Sequence, residues 1–308
     1  MNAAIRAVVR TGIARGLSVL GVERGYQGML EDRTVALDAR AVGGILRQGG
    51  TVLGTARSQA FLAPEGVERG LQMLARHNVD GLVVLGGEGS LHGALALHRR
   101  GFPVVGVPGT IDNDLAGTDL AIGVDTALNT AMEAIDRIKD TASAHNRTFV
   151  VEVMGRNSGY LALAAGMAAG AEMVLIPEVE VSPEQVIAEM RAAHARGKPH
   201  FIVVIAEGAR PRAVDLCNYL DKAMGGEEFE VRLTVLGHVQ RGGSPTAADR
   251  LLASRLGAAA VDELIAGRHG RMVGLSGREI VASELATVLA LPHQLDKRLY
   301  NLASVLAG

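Results

Sequence analysis

The chain has 308 residues, of which 48% are apolar and 3% aromatic, and its formal net charge is −2. Acidic and basic residues are interspersed, which argues against a basic face for nucleic acid and a polybasic segment for anionic lipid. One cysteine excludes an intramolecular disulfide, and neither a signal peptide nor an apolar run of the ~20 residues that cross a membrane is visible, so we expect a soluble cytoplasmic protein that binds small molecules.

Short apolar runs alternate with helical patterns along the chain. An amphipathic helix is predicted over residues 2–15. Strands are predicted at 81–85, 103–107, 148–154, 173–176, 201–206 and 232–236. Helices are predicted at 90–98, 124–139, 159–169, 183–195 and 247–265, the fourth with Ser182 as its N-cap. This alternation predicts the α/β class, with mainly parallel sheets flanked by helices, and the chain length predicts two lobes.

Residues 86–90 form a glycine-rich turn directly after the predicted strand 81–85. Ser90 opens the next helix, whose free N–H groups would point at a phosphate, and Glu88 would hold a magnesium ion bridging phosphate oxygens. A tight turn without a ligand is the alternative interpretation. Because ligands of parallel sheets bind at the carboxyl ends of strands, the position favours a nucleotide phosphate.

The segment 109–114 places a hydroxyl and two carboxylates after the next predicted strand. One carboxylate, Asp112 or Asp114, would accept the proton of an attacking hydroxyl while the other positions a metal ion or an arginine. A solvated acidic turn is the alternative. The pattern favours phosphoryl transfer.

Arginines lie within or beside these strand-end segments, namely Arg57, Arg147, Arg156, Arg232 and Arg241, and His238 lies close to the last of them. Guanidinium groups bind phosphate oxygens bidentately, so the set predicts a substrate that already carries a phosphate. Taken singly, each arginine is better explained as a solvated surface residue, whereas the histidine is equally compatible with a structural role.

Five segments of the sequence are distinctive: MNAAIR at residues 1–6, PGTIDND at 108–114, MGR at 154–156, AEG at 206–208 and LGHVQRGGSP at 236–245. Through these segments the chain resembles the bacterial 6-phosphofructokinase family over essentially its whole length. The resemblance implies two Rossmann-like lobes, a nucleotide-binding lobe of residues 1–123 plus about 240–289 and a sugar-phosphate-binding lobe of 124–239 plus about 290–308. It also implies a glycolytic homotetramer that transfers the γ-phosphoryl group of ATP to the 1-hydroxyl of fructose 6-phosphate, under allosteric control by ADP or phosphoenolpyruvate.

The resemblance further assigns roles to individual residues. Asp112 is implied as general base, Thr110 as a contact of the transferring group, and Asp114 and Arg156 as support for the charged network. The implied substrate contacts are Thr110, Ile111, Asp112, Arg147, Met154, Gly155, Arg156, Glu207, Arg232, His238, Val239, Gln240 and Arg241, with Arg147 and Arg232 reaching in from a neighbouring subunit. The implied nucleotide contacts are Tyr26, Arg57, Ser58, Gly87, Glu88, Gly89 and Ser90, with Glu88 as the magnesium ligand. The implied effector contacts are Arg6, Arg10, Lys139, Gly170, Ala171, Glu172, Arg196, Lys198, Pro199 and His200.

The choice of phosphoryl donor depends on two glycines. Pyrophosphate-dependent relatives carry Asp and Lys at the positions of Gly89 and Gly109, so both glycines favour ATP. Three positions depart from the family pattern: Glu88 stands where Asp is usual, Leu62 where many relatives have an arginine near ATP, and the effector arginine near Ala39 is absent.

Relatives begin with an apolar strand and a TSGGDAPG loop directly before MNAAIR, so the first strand of the first lobe is missing from this sequence. We expect an in-frame segment of that kind upstream of Met1. Two alternatives stay open: a pyrophosphate-dependent enzyme, and a catalytically impaired, truncated or regulatory subunit that still binds sugar phosphate or effector. NAD kinases and diacylglycerol kinases share a glycine-rich loop but lack PGTIDND and LGHVQRGGSP.

Overall fold

The computed structural model describes residues 1–145, 147–198, 200–224, 230–291 and 295–307. They divide into two compact units. The first unit comprises Met1–Thr110, Leu115–Gly123 and Gly243–His293, and the second comprises Ile111–Asp114, Val124–Gly242 and Gln294–Gly308. Within the described ranges, no helix has both the length and the apolar character that a bilayer crossing requires.

The helices and strands alternate along most of the chain. The strands are β1 Leu20–Val22, β2 Thr34–Ala36, β3 Leu82–Gly86, β4 Val104–Pro108, β5 Thr148–Val153, β6 Met173–Leu175, β7 Phe201–Ala206, β8 Val231–Val235, β9 Arg271–Ser276 and β10 Glu279–Glu284. The helices are α1 Asn2–Ala14, α2 Gly25–Leu30, α3 Pro64–Arg76, α4 Glu88–Arg99, α5 Val124–His145, α6 Tyr160–Ala168, α7 Pro183–Ala195, α8 Ala213–Met224, α9 Ala247–Ile265, α10 Leu285–Ala290 and α11 Lys297–Leu306. Short 3-10 helices occur at Ile45–Arg47, Ala60–Leu62 and Gly237–Arg241.

The first unit is built on a four-stranded sheet of order β10-β9-β4-β3, beside which β1 and β2 form an antiparallel pair. Strand β4 is buried along its length and pairs in parallel with β3 and β9. Helices α3, α4 and α10 cover one face of the sheet, and α1 and α9 cover the other. Helices α1 and α9 approach closely because Gly257 has no side chain, since a Cβ there would lie 2.7 Å from the carbonyl oxygen of Ala4.

The second unit is built on a wholly parallel sheet of order β6-β7-β5-β8. Alternate residues of β7 face opposite cores: Ile202 and Val204 pack against α5 and α6, whereas Val203 and Ile205 pack against α7 and α8. All four side chains are fully buried, which explains why this strand is a continuous apolar run in the sequence.

The structure confirms the predicted α/β class and all six predicted strands, whose ends lie within one residue of the predicted positions. The start of α7 is also confirmed. The backbone N–H of Gln185 donates to Ser182 Oγ at 3.3 Å, and the Gln185 amide oxygen accepts the Ser182 N–H at 2.8 Å, so that the two residues form a capping box.

Candidate active site

A glycine-rich loop joins β3 to α4 in the first unit, as the sequence predicts. Gly87 is the N-cap of α4, and Glu88 lies in the first helical turn. A Cβ on Gly86 would lie 2.4 Å from Ser90 Oγ, so the close approach of strand and helix requires a glycine there. The first N–H groups of the helix and its positive dipole end therefore lie at the carboxyl end of β3, an arrangement that binds anions.

Tyr26, predicted to contact a nucleotide, makes its own contacts within the first unit. Its hydroxyl donates to the carbonyl oxygen of Ser90 at 2.6 Å, and its ring stacks on Phe61 with a centroid distance of 4.1 Å. Burial raises the pKa of the Tyr26 phenol, so the group remains a proton donor. A Cβ on Gly93 would lie 2.5 Å from the ring. Tyr26 thus holds the first turns of α4 against α2.

The other predicted nucleotide contacts also belong to the first unit. Arg57 is exposed, and Ser58 Oγ donates to Gln27 Oε1 at 3.0 Å. The Glu88 carboxylate is 63% exposed, and His92 Nε2 lies 3.6 Å from it. Within the described residues no group of three His, Cys, Asp or Glu side chains is arranged to hold a metal ion. Glu88 is therefore a single protein carboxylate beside the anion-binding helix end.

The segment PGTIDND begins at the carboxyl end of β4. Thr110 lies beside the glycine loop, because a Cβ on Gly87 would contact Thr110 Cβ at 3.4 Å. Asp112 and Asp114 belong to the second unit. Asn113, between them, is 3% exposed and has a φ of 48°, a left-handed conformation in which asparagine is enriched. The sequence analysis missed this buried turn, although the Asp-Asn-Asp triplet is a recognisable signal for it.

Two predicted substrate-binding segments of the second unit are joined by Gln240, which is 1% exposed. Its Oε1 accepts the N–H of Met154 at 3.3 Å, and its Nε2 donates to the carbonyl oxygen of Gly237 at 3.0 Å. Ile111 packs against Met154, which brings the segment of Asp112 to the same place. The Gln240 side chain therefore uses its amide within the protein, where it holds the segments of Met154 and Gly237 together.

The MGR and AEG segments lie against each other at the carboxyl ends of β5 and β7. The N–H of Gly208 donates to the carbonyl oxygen of Gly155 at 3.0 Å, and a Cβ on Gly208 would lie 1.8 Å from the carbonyl oxygen of Arg156. Gly155 has a φ of 140°, and a Cβ there would lie 2.4 Å from the carbonyl oxygen of Ser158. Arg156 is exposed and Glu207 half-buried, so both present polar groups at this end of the sheet.

The predicted residues of the LGHVQRGGSP segment complete this end of the second unit. The N–H of Leu236 donates to the carbonyl oxygen of Glu152 at 3.0 Å, which places the 3-10 helix Gly237–Arg241 beside the end of β5. His238 and Arg241 are exposed, and Val239 is 64% exposed. Arg156 and Arg241 thus place two guanidinium groups, and His238 an imidazole, on segments that directly follow β5 and β8.

Glu152, near the end of β5, is a carboxylate that the sequence analysis missed. Burial and the nearby carboxylate of Glu207 raise the pKa of Glu152, and Arg212 partly opposes this shift. An acidic residue in the otherwise apolar run TFVVEV is a signal that could have identified it. Glu152 and Glu207 therefore form a pair of carboxylates near Arg212.

Two of the predicted arginines lie at the opposite end of the same sheet. Arg147 directly precedes β5, and Arg232 is paired with Phe149 near the beginning of β8. Both side chains form ion pairs with Glu230, which the sequence analysis did not single out. Six residues of parallel strand extend roughly 20 Å, so Arg147 and Arg156 of one chain lie far apart.

The predicted effector residues of the second unit gather around the loop after α6. Lys139 Nζ donates to the carbonyl oxygens of Ala169 and Gly170 at 2.7 and 2.9 Å. Lys198 Nζ lies 3.6 Å from a Glu172 carboxylate oxygen and donates to the carbonyl oxygen of Ala307 at 2.7 Å.

The remaining effector candidates differ in exposure and in unit. Ala171 is buried, Arg196 is exposed and His200 is half-buried, whereas Pro199 lies outside the described residues. Arg6 and Arg10 lie on α1 of the first unit, and Arg10 donates to the carbonyl oxygen of Ala39 at 3.0 Å.

An apolar cavity of about 210 Å³ lies in the first unit beside β3, which is at the edge of its sheet. Its walls include Ile5 and Val9 of α1, Val22 of β1, and Val83 and Leu85 of β3. Aliphatic walls of this kind do not bind phosphate, so the polar groups at the helix end of α4 remain the candidate nucleotide site.

Comparison with known proteins extends over the whole chain. Residues 1–264 match the family described as Phosphofructokinase. The ATP-dependent 6-phosphofructokinase of Shouchella clausii is 50% identical over 307 residues, which cover 100% of this chain and 95% of that protein. The ATP-dependent 6-phosphofructokinase of Bacillus thuringiensis is 51% identical with the same coverage. The solved structure of phosphofructokinase from Saccharomyces cerevisiae matches with a TM-score of 0.88 and 34% identity, covering 100% of this chain and 46% of the yeast chain, so this chain spans less than half of the yeast one.

Proposed function

Since the chain belongs to the phosphofructokinase family, we propose that it transfers the γ-phosphoryl group of ATP to the 1-hydroxyl of fructose 6-phosphate in cytoplasmic glycolysis. The observation that carries this proposal is an identity of 50% over 307 residues with a protein named for that reaction. The spatial grouping of Met154, Arg156, Glu207 and Gln240 in the second unit supports it further, because these residues come from separate segments and meet at one end of a parallel sheet.

ATP is the proposed donor because both positions that distinguish donors carry glycine, so no side chain stands where the nucleotide phosphates would bind, and the structure shows open space beside Gly89. A Cβ on Gly89 would have no neighbour within 4 Å, and a Cβ on Gly109 would have its nearest neighbour at 3.6 Å. Packing within the first unit therefore does not require glycine at either position. The open space is available to the phosphates of a nucleotide.

Asp112 is the proposed general base. Its carboxylate accepts the proton of the 1-hydroxyl as that oxygen attacks the γ-phosphorus, the bond between the γ-phosphorus and the β,γ-bridging oxygen breaks, and ADP leaves. Thr110 orients the transferring group, and Arg156 stabilises the negative charge on the phosphoryl oxygens. Asn113, between the two carboxylates, is buried in a left-handed conformation, so it fixes the backbone from which Asp112 extends.

Glu88 fits the requirements of a magnesium ligand. Magnesium is commonly held by one or two carboxylates together with phosphate oxygens and water, so a single exposed carboxylate at the start of α4 suffices. When bound, the ion supplies charge neutralisation for the nucleotide phosphates.

We also propose that the sugar-phosphate site is shared between copies of the chain in a homotetramer. Arg147 and Arg232 lie at the amino ends of β5 and β8 and are too far from Arg156 of the same chain to share one phosphate. Beside Arg232, Leu233 and Val235 of the edge strand β8 are exposed, as a surface covered by another copy would be.

Mixed oligomers test the sharing of the site. Asp112→Ser and Arg232→Ala chains are each expected to be inactive alone. Co-refolded at equal amounts, they should regain activity at about a quarter of sites, the fraction expected for random assembly when each site draws on two chains. No recovery in mixtures shown by native mass spectrometry to be hybrid would contradict a shared site.

The cations around residues 170–172 are proposed to bind an anionic effector, ADP or phosphoenolpyruvate. Lys139 and Lys198 are already directed at this loop, and Glu172 supplies a carboxylate for a metal ion carried by a nucleotide. Lys198→Ala is expected to abolish the response to these effectors and to leave unregulated turnover unchanged. An intact response in the variant would contradict the assignment.

The central experiment measures ADP formation with fructose 6-phosphate by a coupled assay, with ATP or pyrophosphate as donor. Turnover with ATP and product identified as fructose 1,6-bisphosphate are expected. Turnover only with pyrophosphate would show that pyrophosphate, and not ATP, is the phosphoryl donor. Binding of fructose 6-phosphate without turnover would establish an impaired or regulatory chain.

A further inference from the structure

Residues 47–58, named here the anchored loop, connect the 3-10 helix Ile45–Arg47 to the candidate nucleotide contacts Arg57 and Ser58. The loop contains three glycines, and beyond residue 47 it includes no helix or strand. Gly50 and Gly54 both have a φ of 68°, in the left-handed region. A glycine-rich segment of this kind has a large conformational entropy, so other residues must hold it in one conformation.

Asn2 provides the main anchor. Its side chain lies in the protein interior with 1% exposure, and it uses both its donors and its acceptor on the loop. The Asn2 Nδ2 group donates to the carbonyl oxygens of Gln48 and Gly49 at 3.0 and 3.3 Å, and Oδ1 accepts the N–H of Val52 at 2.8 Å. One buried amide therefore satisfies three backbone groups of an irregular segment.

A second anchor comes from the GGSP end of the LGHVQRGGSP segment, which the proposed chemistry leaves without a role. Ser244 Oγ donates to the carbonyl oxygen of Arg47 at 3.0 Å and accepts Arg250 Nη2 at 3.0 Å. The backbones of Gly49 and Gly243 are in contact, since a Cβ on Gly49 would lie 2.1 Å from the Gly243 carbonyl oxygen. The anchored loop is thus pinned at its beginning from two distant parts of the chain.

We propose that Asn2 and Ser244 are positioning residues that hold the anchored loop in the conformation in which Arg57 and Ser58 bind the nucleotide. The proposal rests on the nucleotide site proposed above and adds two residues to it. Neither residue needs to touch the nucleotide, because both act through the backbone of residues 47–52. Loss of either anchor lets the loop sample other conformations. Part of the binding free energy of the nucleotide is then used to order the loop, so the nucleotide binds more weakly.

The experiment compares Asn2→Ala, Ser244→Ala and Ser244→Thr with a matched control, Thr118→Ala. Thr118 is also a side-chain anchor of the first unit, since its hydroxyl donates to Leu120 and accepts the N–H of Leu275, but it does not contact the loop. KM for ATP, KM for fructose 6-phosphate and kcat are measured, together with amide hydrogen exchange of residues 47–58 and calorimetric binding of ATP.

Asn2→Ala and Ser244→Ala are expected to speed exchange in the anchored loop. Ser244→Ala removes one hydrogen bond to the loop and should raise KM for ATP about tenfold, and Asn2→Ala removes three and should raise it at least as much. KM for fructose 6-phosphate should change by less than about twofold, because that substrate binds other residues. Ser244→Thr keeps the hydroxyl group, so its KM for ATP should stay close to that of the unmodified chain. Thr118→Ala should lower the melting temperature without raising KM for ATP.

The proposal is overturned if exchange rises while the affinity for ATP is unchanged, or if Thr118→Ala raises KM for ATP as much as the loop variants do. If Asn2→Ala does not fold, comparison of Ser244→Ala with Ser244→Thr, at an exposed position, still tests the proposal. Failure of the proposed function is a separate result, because it appears as absent turnover in the unmodified chain. Calorimetry still compares ATP binding among the variants in that case.

Discussion

Replacement of Gln240 by alanine tests how the second unit assembles its substrate contacts. The change removes two hydrogen bonds, one from Met154 N–H and one to the Gly237 carbonyl oxygen. Loss of the bond to the Gly237 carbonyl oxygen costs about 1 kcal/mol net, and loss of the bond from the Met154 N–H, on a residue that is 6% exposed, costs about 1–3 kcal/mol because that N–H is left unpaired. We expect the free energy of unfolding to fall by about 2–4 kcal/mol in total.

The same substitution should impair substrate binding selectively. Gln240 joins the segment of Arg156 to that of Arg241, and displacement of binding groups by about 1 Å lowers kcat/KM by up to about 100-fold. KM for fructose 6-phosphate should therefore rise while KM for ATP stays within about twofold of its original value. Urea denaturation and steady-state kinetics with each substrate varied provide the two measurements.

Gln185→Ala is the matched control for Gln240→Ala. It removes a glutamine side chain of the same unit, and with it a hydrogen bond of the α7 capping box, and this side chain bonds to Ser182 and not to Met154 or Gly237. It should cost about 1 kcal/mol of stability without a change in either KM. If Gln240→Ala left KM for fructose 6-phosphate unchanged despite the expected loss of stability, the reasoning that this amide positions the substrate contacts would be refuted.

Three further substitutions test the proposed chemistry. Asp112→Ser should lower kcat by about 10²–10⁴-fold with little change in KM for fructose 6-phosphate, as loss of a general base predicts; unchanged turnover would exclude that role. Gly89→Asp should weaken ATP binding by about tenfold or more through repulsion of phosphate while leaving the melting temperature unchanged, because its Cβ meets no neighbour; normal ATP affinity would show that the space is not used. Glu152→Gln tests the raised pKa of Glu152. Burial and Glu207 raise this pKa, so the folded state favours the protonated carboxyl group. The stability of the folded state therefore falls as the pH rises above 4.5 and through the raised pKa of Glu152. The melting temperature of Glu152→Gln relative to the original chain should therefore increase from pH 4.5 to about pH 7, and a difference independent of pH would argue against the shift.

Elements that were not predicted from the sequence lack strong local signals. β1 and β2 have three residues each, too few for a pattern of alternation. The hairpin of β9 and β10 turns at Gly277 without an Asn-Gly pair, and its strands mix apolar and charged residues. Helix α3 did carry a usable signal, with Pro64 and Glu65 in its first turn.

The candidate site also combines features that neighbouring residues in the sequence predict with features that depend on contacts between distant residues. Strand ends, the glycine loop after β3 and the position of Asp112 follow from residues that are neighbours in the sequence, because apolar runs and turn residues act within a few positions. Pairing of Arg147 with Glu230, which is 83 residues away, depends on the register of β5 with β8, which no local pattern specifies.

The sequence by itself therefore determined the α/β class, the order of the buried strands and the segments that carry the polar groups, since buried parallel strands require continuous apolar runs. Only the tertiary structure decided which polar side chains form hydrogen bonds within the protein and which are left to contact a ligand. Asn2 meets a loop 46 residues away and Gln240 meets a strand end 86 residues away. Such contacts arise when separate elements pack together and leave buried backbone groups in need of partners, and the identity of those partners is set by the packing.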